Sequence, residues 1–361
     1  MSRDPEHLAD QSVQLGFIFD MPQHSSPVPP SLLAPAVATV VYDTYWRFAV
    51  ERQNIFFRRF AGDSPPFSRD QIMQQYKFTN AYRASDRVSQ YLIQTVIYGR
   101  RVSIEDLFFR ILLFKLFNRI ETWELLDKTV GPILWSEYDF RRYDRILSNA
   151  LQLGRRIYSA AYIMPSALVF GSARKHRNHL RLLEAMMSDE VPLRISALRS
   201  MRAAFELLRS YPSIGDFLAY QLVTDLNYSD LTDFTEMEFV MPGPGAKDGM
   251  RKCFASLGGL TEADMIRVVA DRQAEEFERL GLTFRSLWGR SLQLIDCQNL
   301  FCEVDKYARL AHPDVKGWTG RTRIKQKYRV PREPMRFWYP PKWGLNDVID
   351  KQGGIDCVSR I

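Results

Sequence analysis

Apolar residues recur every three or four positions through most of the chain beyond residue 36. Val41, Tyr45, Phe48 and Phe56 mark the first such face, which runs to Phe60 and is stopped by Gly62 and Pro65–Pro66. The same periodicity predicts helices over about 80–99, 104–119, 138–158, 176–188, 194–210, 214–226, 246–257, 261–280 and 291–310. Strand-like alternation is scarce, Glu238–Met241 being its clearest instance. No internal repeat shows. The expected class is all-α, with short irregular or strand segments.

Composition divides the chain into three parts. Residues 1–34 read as a tail in which Pro, Ser and His cluster, and 35–312 as the helical domain. Residues 313–361 read as a C-terminal arm: nine Lys or Arg and one acid, Glu333, fall between Lys316 and Lys342, interleaved with Trp318, Tyr328, Phe337, Trp338 and Tyr339. Such an arm suits phosphates and exposed bases, and equally suits burial of its aromatics over the domain. The longest apolar run, Phe108–Phe117, is interrupted by Arg110 and Lys115 and is too short to span a bilayer. Early charges at Arg3, Asp4, Glu6 and Asp10 do not suit a secretory signal, so a cytoplasmic protein is expected. Cys253, Cys297, Cys302 and Cys357 form no CxxC pair and read as core thiols. A formal charge of +7 is compatible with a polyanionic partner.

Two segments suggest backbone grips on phosphate. Tyr211-Pro-Ser-Ile-Gly-Asp216 joins two predicted helices in the layout of a helix–hairpin–helix at about 200–226. There Ser213, Ile214 and Gly215 would present N–H groups at the positive end of the second helix, with room for a monovalent cation. Ser213 stands where a second glycine is usual, and a plain turn between packed helices fits as well. Downstream, Met241-Pro-Gly-Pro-Gly-Ala-Lys247 feeds another helix start, where Gly243, Gly245 and Lys247 could face an anion, or simply form a rigid turn. No GxxxxGK[ST] occurs, so the usual apparatus for taking a phosphoryl group from ATP is missing.

Two predicted helices carry polar stripes: Arg83, Asp86, Arg87, Gln90 and Gln94 on one, Asp296, Asn299, Glu303 and Lys306 on the other. A solvated face and a polar pocket between helices would both look like this. Asn118, Glu121, Thr122 and Trp123 follow an apolar helix, where Thr122 suits a cap and Trp123 a packing role. His176 and His179 form an HxxH in a basic setting that reads as an exposed helix, and no metal site is expected.

In this order, Tyr76–Gln90, Phe117–Glu124, Gly215–Gln221, Pro242–Ala246 and Leu300–Tyr307 resemble the helical domain of 5-hydroxymethyl-deoxyuridine DNA kinases. That domain is also described as alpha-glutamyl/putrescinyl thymine pyrophosphorylase, clade one, and the likeness runs from about 40 to 330. The resemblance implies a fold similar to helix–hairpin–helix DNA glycosylases and a part in hypermodifying 5-hydroxymethyluracil in DNA. With no P-loop, it points to the transferase half, in which an amine or amino acid replaces pyrophosphate, or to a DNA-binding partner of a separate P-loop kinase. A helix–hairpin–helix glycosylase or lyase is the competing enzyme, although Asp248 is a poor match for its catalytic acid.

The transferase chemistry needs a flipped base, cations for the leaving group, and a base for the amine's proton. Arg83, Arg87 and Lys306 are expected at the leaving group. Glu303 is expected as general base, with Asp86 or Asp305 as second choices. Asn118 and Gln90 would read the uracil edge and Tyr82 or Trp123 would stack on it, with Glu121, Asp296 and Asn299 completing the pocket. Arg323, Lys325 and Lys327 would join the hairpin and Lys247 on the DNA backbone. No cofactor and no membrane contact are expected.

Overall fold

A computed structural model describes residues 35–160, 164–330 and 336–353 of the chain. Among them the regular structure is fifteen α-helices and one two-stranded sheet, an all-α class. The sheet pairs β1 (Val37–Ala38) with β2 (Phe254–Ser256), antiparallel. Helix α1 (Val40–Phe60) starts where the Thr39 hydroxyl accepts the Val41 N–H, 3.1 Å away. It ends before Gly62, whose φ of 80° no helix continues through.

Short helix α2 (Gln71–Gln75) is followed by a region where one helix over 80–99 is expected and three pieces stand. They are a 3₁₀ turn at Arg83–Ser85, α3 (Arg87–Tyr91) and a π-helical stretch at Leu92–Ile97. Asp86 breaks the run, because its backbone is extended while its carboxylate accepts the Asn80 N–H at 2.9 Å. The π stretch ends on Arg110, whose guanidinium takes the Thr95 and Val96 carbonyls at 3.2 and 2.9 Å.

The next helices are α4 (Ile104–Phe117), α5 (Ile120–Val130) and α6 (Phe140–Gln152), the last halted well before residue 158 by Gly154 at φ 70°. After α7 (Lys175–Ser188), the expected 194–210 helix divides into α8 (Val191–Ala197) and α9 (Met201–Arg209), since the Ser200 side chain caps a fresh start. Then come α10 (Asp216–Leu226), α11 (Pro244–Cys253), α12 (Glu262–Asp271) and α13 (Gln273–Arg279). The order closes with α14 (Leu294–Ala311) and α15 (Asn346–Gly353). The chain at 254–256 joins the sheet instead of prolonging α11.

The expected strand at Glu238–Met241 belongs to no sheet. Its consecutive Phe239 and Val240 are both buried, with Phe239 against Phe205 and Tyr220, so the side chains do not alternate as a strand's would. Its carbonyl at Glu238 is taken by Arg267 instead.

Helix α14 runs through the core, packed on α1, α11 and α12. Glycines set its approach to α11: a Cβ on Gly245 would lie 2.4 Å from Cys302 Sγ, and one on Gly249 only 1.9 Å from the Phe301 carbonyl oxygen. The segment beyond α14 wraps back over the domain. Lys77 N–H donates to Gln326 O at 3.0 Å and Tyr328 N–H to Gln75 O at 2.9 Å, while Ile324, Phe337 and Tyr339 are buried. No helix among the described residues is long and apolar enough to cross a membrane.

Candidate functional site

A cleft of about 530 Å³ opens where the broken 77–89 region, the α4–α5 junction, the starts of α10 and α11 and one face of α14 meet. Its volume falls within the roughly 300–1,000 Å³ of small-molecule sites. The two polar stripes supply opposite walls: Arg83, Asp86 and Arg87 on one, Asn299, Glu303 and Lys306 on the other. Phe78, Val88, Ile120 and Phe217 give it apolar surface.

The floor is a buried charge network. Asp225, fully buried, pairs with Arg83 at 2.8 Å and Lys115 at 3.0 Å. Arg83 also donates to Gln221 and to Tyr228 OH, and Lys115 donates to Asn118 Oδ1 at 3.0 Å. Both cations hold Asp225 well below the usual carboxylate range against the opposing effect of burial. Asn118 reaches Lys115 because it ends α4 in the left-handed region, at φ 48°.

Two carboxylates face each other higher up, and their surroundings separate them. Glu303 is engaged at both oxygens, by Lys306 at 2.6 Å and by the Thr79 N–H at 3.0 Å. Asp86 accepts one bond, from Asn80, and its Oδ2 accepts none among the described residues. Burial pushes the Asp86 carboxyl up to about 7; Glu303 adds to the rise, while the Asn80 N–H, Arg52 and Arg83 oppose it. A carboxyl in that range can exchange a proton near neutral pH.

Positive helix ends add to the cations. The first turns of α5, α10 and α11 border the cleft, through Ile120 and Glu121, Phe217, and Pro244 to Ala246. None of these three starts has a side-chain cap hydrogen bond. Arg119 and Arg87 stand at the mouth, both beside Glu121, at 3.3 and 3.9 Å. Gln298, 2% exposed, also lines the cleft; its Nε2 donates to Asn299 Oδ1, and its Oε1 has no partner among the described residues.

Several expected site residues lie elsewhere. Tyr82 is buried with its hydroxyl between Arg290 O and Leu287 N, and Trp123 is buried under the Arg110 guanidinium, 5.1 Å from its ring centre. Neither ring is available to stack on a base. Gln90 accepts from Trp338 N–H and donates to Ala84 O, so it tethers the C-terminal segment. Asp296 caps the start of α14 and accepts the Arg83 N–H, its carboxyl raised to about 7 mainly by burial. Asp305 faces away from the cleft, paired with Lys252 at 2.9 Å and with Arg309. Arg83 reaches the cleft, but its guanidinium is committed to the floor network.

The two backbone grips resolve unequally. At the hairpin, Ile214 is buried and its N–H already bonds Tyr211 O, while Ser213 sits at φ 65°, the region glycine favours. Gly215 heads α10, with nothing within 4 Å of where its Cβ would stand, and Asp216 beside it is held by Arg209 at 2.5 Å. At the second loop, Gly243 and Gly245 line the cleft, and both also have packing reasons, against Phe217 and Cys302. Lys247 is exposed on α11, and Arg323, Lys325 and Lys327 are exposed around buried Ile324.

His176 and His179 are buried rather than exposed. His176 bonds Asp144 at 2.8 Å, and His179 bonds Tyr158 and Pro165 O, burial pushing its ring down to about 4. Cys253 and Cys297 are buried free thiols, Cys302 lies at the cleft, and Cys357 falls outside the described residues. Sequence reasoning missed Lys115, Asp225, Gln221, Gln298 and Phe217. A usable signal existed for the first two: a Lys and an Asp set in largely apolar helical stretches, where an unpaired charge would be costly.

The fold and the cleft together define an all-α protein whose pocket gathers positive helix ends, cations and one high-pKa carboxyl. The chain belongs to the family of the 5-hmdU DNA kinase helical domain, whose profile matches residues 39–317. It is similar to the 5-hmdU DNA kinase of Bacillus phage SP10, 28% identical over 327 residues, which are 85% of this chain and 51% of the phage protein. The chain therefore spans about half the length of that curated relative. No solved structure matches it.

Proposed function

We propose that the chain acts on 5-hydroxymethyluracil in DNA, taking the base into the cleft and replacing a pyrophosphate on its 5-hydroxymethyl group with an amine or amino acid. The observation that carries this reading is the cleft's make-up: a carboxyl raised to about 7, beside cations and three helix N-termini, over partly apolar walls. In the reaction the amine nitrogen attacks the exocyclic methylene carbon. The bond from that carbon to the pyrophosphate oxygen breaks, and pyrophosphate leaves with the electron pair. The proton lost by the amine goes to Asp86.

Arg87, Lys306 and the first turn of α11 neutralise the leaving group, while Arg83 and Lys115 fix the floor beneath it. Glu303 positions Lys306. Asp86 therefore replaces Glu303 as general base, because Glu303 spends both oxygens on Lys306 and Thr79. Asp248 is likewise spent, on hydrogen bonds from Thr319, which counts against a glycosylase. A second reading rests on the length relation: the helical half of a protein named a kinase would hold the DNA for a kinase carried by another chain.

The test is incubation of the protein with DNA bearing 5-hydroxymethyluracil or its phosphorylated and pyrophosphorylated forms, with a pool of amines and amino acids. Digestion to nucleosides and mass spectrometry give the readout. An amine adduct formed only from pyrophosphorylated DNA supports the transferase. DNA binding without any mass change rejects it and leaves the DNA-holding reading.

A further inference from the structure

Trp318 is the most exposed large hydrophobic residue among the described ones, at 75%. An exposed indole on a loose loop would need no explanation, but this loop is held. Buried Asp248 on α11 accepts the Thr319 N–H at 3.1 Å and the Thr319 hydroxyl. A Cβ on Gly317 would lie 2.5 Å from Asp248 Oδ1, so glycine lets the loop close on the carboxylate without shifting it. The Arg251 guanidinium lies over the ring, 3.9 Å from its centre. A buried carboxylate and a close-approaching glycine thus hold an apolar ring in solvent.

The surroundings select a partner. Between Gly317 and Val330 there are five Lys or Arg and no acid. Arg321, Arg323, Lys325, Lys327 and Arg329 are exposed, and the same segment forms the cleft's edge at Gln326. Asp248 is four residues along α11 from Pro244 at the cleft rim, about 6 Å at 1.5 Å per residue. The loop that carries the ring is thus anchored on the helix whose first turn lines the cleft.

We infer that Trp318 stacks on a DNA base near the one the cleft takes, with the basic segment following the phosphates beside it. This rests on the reading that the chain binds DNA, and adds how the strand is held open once a base has left the stack. Aromatic faces stack on any base, so the contact grips without reading sequence.

The test is fluorescence anisotropy with the full chain and two unmodified probes, a single-stranded 15-mer and its paired duplex, across a salt series. Trp318→Ala should weaken single-strand binding about 5- to 150-fold, as base–aromatic stacking predicts, and leave the salt slope unchanged because no phosphate contact is lost. Trp318→Phe should keep most of the affinity. Arg323→Ala/Lys325→Ala should also weaken binding but, unlike Trp318→Ala, flatten the slope by about 1.4, at ~0.7 per single-strand phosphate. The inference is overturned by a Trp318→Ala protein that binds as wild type does, by an equal loss in Trp318→Phe, or by a loss that brings a flatter salt slope. If wild type binds and modifies DNA while Trp318→Ala is indistinguishable from it, this inference alone fails. If wild type binds neither probe, the DNA reading fails with it.

Discussion

Replacing Asp86 by asparagine should stabilise the protein at pH 8, change its stability little near pH 4, and remove its activity. Burial raises the Asp86 carboxyl from 3.8 to about 7. Well below pH 3.8 the group is protonated both folded and unfolded, so it has no effect on stability. As pH rises from about 4 to 7 the unfolded chain gives up the proton and the folded chain keeps it, so stability falls; above 7 the loss is complete. At 1.36 kcal/mol per tenfold difference in proton affinity, the full loss is about 4 kcal/mol. Asp86 lines an open cleft, and solvent there relaxes part of this cost, so about 2 kcal/mol is the working figure.

Asparagine copies the shape of the neutral acid and still accepts the Asn80 N–H, so it escapes the penalty. Thermal unfolding of both proteins at pH 4, 5.5, 7 and 8 should show Asp86→Asn gaining about 3 °C at pH 8 and little at pH 4. Asp296, also near 7, is present in both proteins and cancels. Turnover should fall by about 10²–10⁴ with the base removed. A stability difference that is the same at every pH, or of opposite sign at pH 8, would refute the account of Asp86.

Two further expectations concern the backbone and the floor. Ser213→Gly should raise stability by about 1 kcal/mol, since φ 65° is strained for serine and natural for glycine; a lower melting temperature would show that the hairpin turns otherwise. Asp225→Asn should cost about 3–5 kcal/mol in urea unfolding with the slope unchanged, because Arg83 and Lys115 lose the carboxylate they share, and a cost under 1 kcal/mol would mean the floor network is not structural.

The helical class follows from the sequence because an amphipathic period is a local property. Each apolar face needs only some partner to bury against, and α1, α4, α7 and α14 stand close to where periodicity puts them. The two polar stripes were legible for the same reason, since i, i+3 and i+4 spacing puts residues on one face wherever that face points. What it points at is decided by packing. Gly245 and Gly249 let α11 approach α14 and bring the α11 start to the cleft. Asp86 interrupts its own helix, so Arg83, Asp86 and Arg87 reach the cleft while Gln90 turns to the C-terminal segment.

Rings hid their roles equally well. Tyr82, Trp123 and Trp318 look alike in sequence, yet two are buried and one is held out in water, because only neighbours distant in the chain set exposure. The proton affinity of Asp86 belongs to the tertiary structure as well. Burial is its first cause, and Glu303, which adds to it, lies more than two hundred residues away; no pattern along the chain carries either.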